Sequence, residues 1–211
     1  MKPGPFIVLE GLDGAGTTTQ MALLQSWLER TYRRRVYTTH EPSNGPVGML
    51  LRLAIRRRVA LDAPALALLF AADRLDHLQS EVTGKLQKGI PVLCDRYYLS
   101  SFAYQWSGMP EDLEWLEGIN AKARRPDLTI LIDTPAEVCM ERIRKARWET
   151  ELFEEAERLQ AVRANYLSIV GVLLRKRERI EIVDGNRPSE AVHTDVCALV
   201  KRLFEDGESR A

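Results

Sequence analysis

The stretch FIVLEGLDGAGTTTQ, Phe6 to Gln20, joins a short apolar β-rich run to a glycine loop. A helical pattern follows in MALLQSWLER, where Met21, Leu24 and Leu28 fall on one face. Strand, glycine loop and helix, in that order, build a cradle for phosphate. Gly11, Gly14 and Gly16 permit backbone angles that other residues avoid and let phosphate oxygens approach. Ala15 keeps the turn between the last two glycines small. Successive N–H groups in such a loop point at an anion. The helix adds unpaired N–H groups and the positive end of its dipole. Thr18 occupies the hydroxyl position that holds Mg²⁺ in the pattern G-x-x-x-x-G-K-[ST], and Thr19 enters the helix. The lysine of that pattern, which reaches the β- and γ-phosphates, is Thr17 here. A threonine offers a hydrogen bond and no charge. Either other cations neutralise the phosphates or turnover is weak, and Arg144 and Arg147 are the candidates by residue type.

Outward from this loop, four further apolar runs alternate with helical stretches: RVYTT, IPVLCD, LTILID and IEIVDG. Continuous apolar strands separated by helices predict an α/β fold of three layers, a five-stranded parallel sheet covered on both faces. PVGMLLRLAIRRR reads as a helix opened by Pro46. APALALLFAADRLDHLQSEVTGKLQKG reads as one long helix ending near Gly89. SSFAYQWSG is a short helix with Ser100 as a candidate cap. PAEVCMERIRKA and LFEEAERLQAVRANYLSIVGVLLRKR are separated by ARWETE, the weakest helical pattern, so a lid is expected over roughly residues 143–153. PSEAVHTDVCALVKRLF closes the fold, and EDGESRA is expected to fray. The whole span 1–211 reads as one domain.

Bulk properties narrow the class. The 211 residues are 45% hydrophobic and 28% charged, as in an ordinary globule. Thirty basic and 30 acidic side chains cancel, which gives no argument for nucleic acid or an anionic membrane as partner. Cys94, Cys139 and Cys197 are too scattered for a metal cluster or a disulfide framework and fit a reducing cytoplasm. His40, His77 and His193 have no partner at metal-ligand spacing. ALALLFAAD is too short to span a bilayer.

A second acidic strand end follows in IPVLCDRYYLSSFAYQ. Ligands of open parallel sheets gather beyond the carboxyl ends of strands, so Glu10 and Asp95 are expected to border one site. Glu10 is expected to support the loop rather than react. Asp95 is a candidate near the metal, and Arg96 is a candidate phosphate clamp because its fork matches phosphate geometry. Asp13, inside the loop, suits a sugar hydroxyl, a metal-bound water or a local turn contact. Phe70 and Arg74 share a helical face; Phe70 serves either as core or as a stacking surface for a base whose edge Arg74 would bond. Ser101, Tyr104 and Gln105 offer polar contacts on the next helix. Arg142, Arg144 and Arg147 form either a closing set of charges over a phosphate or a solvated helix exterior.

Taken in order, FIVLEGLDGAG, EPSNGPVG, LLFAADR, DRYYLSSFAYQ, PDLTILIDTPAEV and VDG resemble the thymidylate kinase family, a group of P-loop nucleoside monophosphate kinases. The resemblance covers nearly the whole chain, and DRYYLSSFAYQ with PDLTILID is its most specific part. It implies a P-loop kinase fold and ATP-dependent transfer of a phosphoryl group to dTMP, giving dTDP. It also implies Mg²⁺, a cytoplasmic enzyme and a homodimer. By the same resemblance Gly14 to Thr19 would surround the ATP phosphates, and Asp13 would lie near the deoxyribose and the phosphate exchange. Glu41 would flank the monophosphate, and Arg52 and Arg96 would hold its phosphate. Phe70 would stack on thymine, Arg74 would bond its edge, with Ser101 and Gln105 nearby. Tyr104 would press where a ribose 2′-hydroxyl would intrude. Asp95 would lie close to the metal, Asp184 would sit on the adenine side, and Arg144 and Arg147 would act from the lid. Thr17 in place of lysine, and Thr39–His40 where arginine is common, depart from the family pattern. Two other readings stand beside this one: a nucleotide-binding regulatory protein without turnover, and a kinase for another small nucleotide. A GTPase switch is disfavoured, because no N-K-x-D segment is present.

Overall fold

A computed structural model describes residues 2–146 and 152–208. The five apolar runs form five parallel strands: β1 (Phe6–Gly11), β2 (Tyr37–His40), β3 (Val92–Asp95), β4 (Leu128–Asp133) and β5 (Ile180–Asp184). Their order across the sheet is β2-β3-β1-β4-β5. The expected α/β class and five-stranded parallel sheet are therefore found. Every residue of β1 is buried, which is what a central strand covered on both faces requires.

The helices are α1 (Thr17–Tyr32), α2 (Pro46–Ile55), α3 (Ala63–His77), α4 (Thr83–Gln87), α5 (Tyr98–Gln105), α6 (Pro110–Ile119), α7 (Ala136–Ala146), α8 (Leu152–Arg175) and α9 (Ser189–Glu208). α1 packs beside α9, and α5 beside α8, while α2 packs on α3, which itself lies against α5 and α6. Met21, Leu24 and Leu28 are buried together on α1, as their spacing predicts.

The strand order positions the site. β1 is the common neighbour of β3 and β4, and Leu9 pairs with Asp95. The Arg96 N–H then bonds the Leu9 carbonyl at 2.9 Å. The glycine loop that leaves β1 and the Asp95–Arg96 pair that leaves β3 thus emerge side by side at the carboxyl edge of the sheet.

The long helix expected to end near Gly89 is found: the backbone is helical without interruption from Ala63 to Gln87, with one π-helical turn over Leu78–Val82 between α3 and α4. Several expectations are corrected. The helix expected through Arg58 stops at Ile55, and Arg57 turns to φ 55. Ser100 is not a cap: it lies inside α5, and its hydroxyl bonds Glu10 instead. Of the tail EDGESRA expected to fray, Glu205 to Glu208 continue α9, and residues 209–211 lie outside the described residues. In the expected lid, helix α7 reaches Ala146; Arg147 and Trp148 lie outside the described residues. Among the described residues no helix is long and apolar enough to cross a membrane.

Candidate functional site

Gly14 (φ 81) and Gly16 (φ 100) occupy the left-handed region, so the loop needs both glycines. A Cβ on Gly14 would stand 2.6 Å from the Cys139 carbonyl oxygen, which shows how tightly α7 closes over the loop. Gly16 caps α1 without a side-chain bond, leaving the amides of the first turn free for another acceptor. A cavity of about 340 Å³ opens here, walled by Asp13, Gly14, Thr17 and Thr18 on one side and by Asp95, Arg96 and Arg142 on the other. Asp13, Gly14, Gly16 and Thr17 to Thr19 therefore share one cleft with Asp95 and Arg96, while Gly11 is buried at the end of β1 and Ala15 lines the second cavity.

Within it the Thr18 hydroxyl donates to Asp95 Oδ2 at 2.8 Å. Asp95 Oδ1 is buried and has no hydrogen-bond partner among the described residues. One hydroxyl, one carboxylate with an idle oxygen, and space for phosphate oxygens suit Mg²⁺, which binds through one or two carboxylates plus substrate phosphates. Arg96 donates to Asp13 Oδ1 at 2.8 Å and to Ser100 Oγ at 3.1 Å. Its guanidinium lies over the Tyr104 ring, 5.4 Å from the centroid. Tyr104 also approaches Asp13 Oδ2 at 3.5 Å. The Arg96 backbone is at φ 68, a conformation that L residues rarely hold. Such strain persists only where the surroundings impose it, and here it aims the side chain into the cleft.

Glu10, expected to be a support, is wholly buried directly behind this group. Its carboxylate accepts the Tyr97 N–H at 2.8 Å and the Ser100 hydroxyl at 2.5 Å. Burial pushes its pKa up to about 7, against the pull of the Ser100 hydroxyl, the Arg96 charge, and the Ser100 and Tyr97 amides. Burial likewise holds the Tyr166 phenol well above its ordinary value, so it remains an O–H donor.

Arg142 was one of a charged cluster in sequence; in the fold it separates two cavities. It donates to the Ala15 and Gly14 carbonyls at 3.1 and 3.3 Å and to the Gly185 carbonyl at 3.0 Å. Beyond it a second cavity of about 230 Å³ is walled by Gln20, Gly185, Arg187 and Ser189. Asp184 is exposed at its margin and accepts the Asn186 N–H at 2.9 Å. Arg144 is exposed on α7 and does not line either cavity. Of the arginines on α7, Arg142 is the one whose side chain bonds the loop, a choice that residue type alone does not make.

A second cluster gathers Glu41, Arg74 and Ser101. Arg74 is 1% exposed. It donates to Ser101 Oγ at 2.9 Å and to Asn120 Oδ1, and its Nη2 lies 2.8 Å from Glu41 Oε2, a charge contact rather than an aligned hydrogen bond. Its guanidinium carbon is 5.1 Å from the Tyr97 ring centroid. Phe70 is half-buried one turn earlier on α3. Arg74 Nε and both amide atoms of Gln105 are buried and have no partner among the described residues. Unsatisfied buried polar atoms of this kind are costly unless another group meets them. Arg52 donates to the Ser43 carbonyl at 2.5 Å and to Pro42 at 3.3 Å, next to the cis Glu41–Pro42 peptide. Asn120 was not singled out from sequence, where an asparagine after a helix signals only a turn. Thr39 and His77 meet at 2.7 Å, so the position before EP that departs from the family pattern is tied into this cluster.

The family model described as thymidylate kinase matches residues 9–196. A probable thymidylate kinase of Pyrococcus horikoshii is 41% identical over 205 residues, covering 94% of this chain and 96% of that protein. One from Pyrococcus abyssi is 42% identical over the same length and shares. One from Pyrobaculum calidifontis is 40% identical over 200 residues, covering 94% and 97%.

Proposed function

The chain belongs to the thymidylate kinase family, and from that premise we propose that it transfers the γ-phosphoryl group of ATP to dTMP, forming dTDP and ADP. The observation that carries this reading is the single cleft in which the glycine loop and Arg96 face each other. A donor phosphate chain held by backbone amides would there meet an acceptor phosphate held by a guanidinium. Such transfers need no side-chain nucleophile, because positioning and charge neutralisation do the work.

In this reading Gly11 and Gly14 to Thr19 hold the ATP phosphates. Arg142 and Asp184, beside the second cavity, border the nucleoside end of ATP. Thr18 and Asp95 would hold Mg²⁺, which when bound neutralises phosphate charge. Arg96 grips the dTMP phosphate, and Asp13 fixes the guanidinium while facing the sugar. Tyr104 closes the floor under Arg96. Glu41 and Arg52 line the monophosphate side. Phe70 stacks on thymine, and Arg74, Ser101 and Gln105 meet its edge; the unpaired Arg74 Nε and Gln105 amide support this. Arg144 and Arg147 would add charge from the lid over residues 143–153. Thr17 contributes a neutral hydroxyl where lysine would stand, which leaves Arg96 and Arg142 as the cations lining the cleft among the described residues.

A homodimer is supported by exposed apolar side chains on α2 and α3. Met49 and Ile55 on α2 are 59% and 52% exposed, and Leu68 on α3 is 51% exposed. Exposed apolar groups are the material from which association surfaces are built. Cytoplasmic residence is supported by the three cysteines, which are free thiols.

The test supplies purified protein with ATP, Mg²⁺ and each nucleoside monophosphate in turn and follows diphosphate formation. dTMP is expected to be the preferred acceptor, and Arg96→Ala is expected to weaken dTMP binding far more than ATP binding. Bound dTMP without dTDP above background would overturn the proposal.

A further inference from the structure

Glu10 is the residue immediately before Gly11, yet nothing in phosphoryl transfer calls for a buried carboxylate at that point. Its two oxygens collect four donors. Oε1 accepts the Tyr97 N–H at 2.8 Å and the Ser100 N–H at 3.3 Å. Oε2 accepts the Ser100 hydroxyl at 2.5 Å and lies 3.3 Å from the Tyr166 hydroxyl. Tyr97 and Ser100 bracket the first turn of α5, a helix without a side-chain cap of its own. The amides of that turn have no partner within the helix, and its dipole end is positive. Glu10 therefore caps α5 from a residue 87 positions away in the chain.

The same carboxylate touches both halves of the cleft. On one side the Ser100 hydroxyl spends its proton on Glu10, and its oxygen is left to accept from Arg96 at 3.1 Å. On the other, the Tyr166 hydroxyl lies 3.3 Å from the Gly11 carbonyl and 2.8 Å from Ser100 Oγ. Among the described residues Arg96 also bonds Asp13, which is largely exposed, and lies over the Tyr104 ring. Ser100 is thus the buried fixture of the guanidinium, and Glu10 is what orients Ser100. An Arg96 backbone held in the left-handed region has no local preference to keep it there and needs such external ties.

We propose that Glu10 is a positioning residue for the phosphoryl transfer: through Ser100 it sets the direction of the Arg96 guanidinium, and through Tyr166 it ties that setting to the glycine loop. This rests on the reading of Arg96 as the grip on the acceptor phosphate. Glu10 does not touch either nucleotide. Its effect travels along two hydrogen bonds, so it acts on the acceptor more than on the donor.

The experiment is steady-state kinetics of the full chain with ATP, Mg²⁺ and dTMP, comparing wild type with Arg96→Ala, Glu10→Gln, Ser100→Ala and the Glu10→Gln/Ser100→Ala double variant. Glu10→Gln and Ser100→Ala are each expected to raise KM for dTMP about tenfold, because a small misplacement of a binding group costs one to two orders of magnitude. KM for ATP is expected to stay within about twofold in each. The double variant is expected to be no worse than the weaker single, since both break one relay. If Glu10→Gln does not fold, Ser100→Ala carries the comparison, with the same split between the two substrates expected. An unchanged KM for dTMP in folded Glu10→Gln and Ser100→Ala, with a large rise in Arg96→Ala, overturns this proposal alone. So do effects of the two single variants that multiply in the double. An unchanged KM for dTMP in Arg96→Ala overturns the site reading and this proposal together.

Discussion

Replacing Arg74 by methionine tests the buried cluster directly. Arg74 and Glu41 are 1% and 3% exposed at their side chains and stand 2.8 Å apart. Methionine fills much of the same volume but leaves the Glu41 carboxylate with only His77 Nδ1, 3.3 Å away, as a remaining partner among the described residues. It also strands Ser101 and Asn120, which accept from the guanidinium, and removes the contact with Tyr97. Breaking a buried pair by deleting one partner costs about 3–5 kcal/mol, because a charge stays in a place that water cannot reach. For a chain of this size that lowers Tm by about 10 °C. The sign of the cause is separable. If the loss comes from the orphaned carboxylate, Arg74→Met/Glu41→Gln regains about half of it, since a neutral amide is far cheaper to bury than an unpaired carboxylate. Urea unfolding at pH 7, followed by fluorescence of the native tryptophans, gives both values. A loss below about 1 kcal/mol in the single variant would show that the pair is dispensable to the fold. Losses that simply add in the double variant would refute the argument that the uncompensated charge is the source.

Glu10 makes stability depend on pH. Its carboxyl titrates at about 7 in the fold against 4.5 when exposed, so the folded chain holds that proton more tightly across the interval. The contribution is fully present below pH 4.5 and is lost as pH rises through 7, a swing of about 3 kcal/mol. The stability gap between wild type and Glu10→Gln should accordingly move in favour of wild type from pH 8 to pH 5 in denaturant titrations; a gap independent of pH would contradict a buried acid. Gly14→Ala should reduce kcat/KM for ATP at least about tenfold while dTMP binding, measured by calorimetry without ATP, changes little. The reason is a methyl forced to 2.6 Å from the Cys139 carbonyl at φ 81, and full ATP activity would show that the loop has another way to seat it. Met49→Asp combined with Ile55→Asp should give a monomer by light scattering if the exposed faces of α2 and α3 join two copies; a wild type already monomeric at micromolar concentration would remove that reading.

The elements were legible because their causes are local. A parallel strand buried on both faces reads as an unbroken apolar run, and all five runs became strands. Glycines at Gly14 and Gly16 mark a backbone that only they adopt easily, so the loop was visible before folding. Where reading failed, the deciding forces were not local. The π turn at Leu78–Val82 inside the long helix has no periodicity signature. Ser100 has the chemistry of a cap, but a carboxylate from β1 takes that task and draws the serine into the helix interior. Arg142 and Arg144 are equivalent by residue type, and only the packing of α7 against the loop turns the first toward the cleft.

The amino-acid sequence by itself determined the alternation of strand and helix, the phosphate-type loop with its missing lysine, and the family resemblance, because these depend on residue type, spacing and backbone permission. The tertiary structure alone decided which distant residues meet. The Leu9–Asp95 register brings Arg96 beside the glycine loop. Packing of α5 over β1 places Glu10 under that arginine. Arg74 is enclosed with Glu41, Ser101 and Asn120, drawn from four separate segments. Such meetings are set by strand order and by the exclusion of water from the packed interior, neither of which is written in any one stretch of chain.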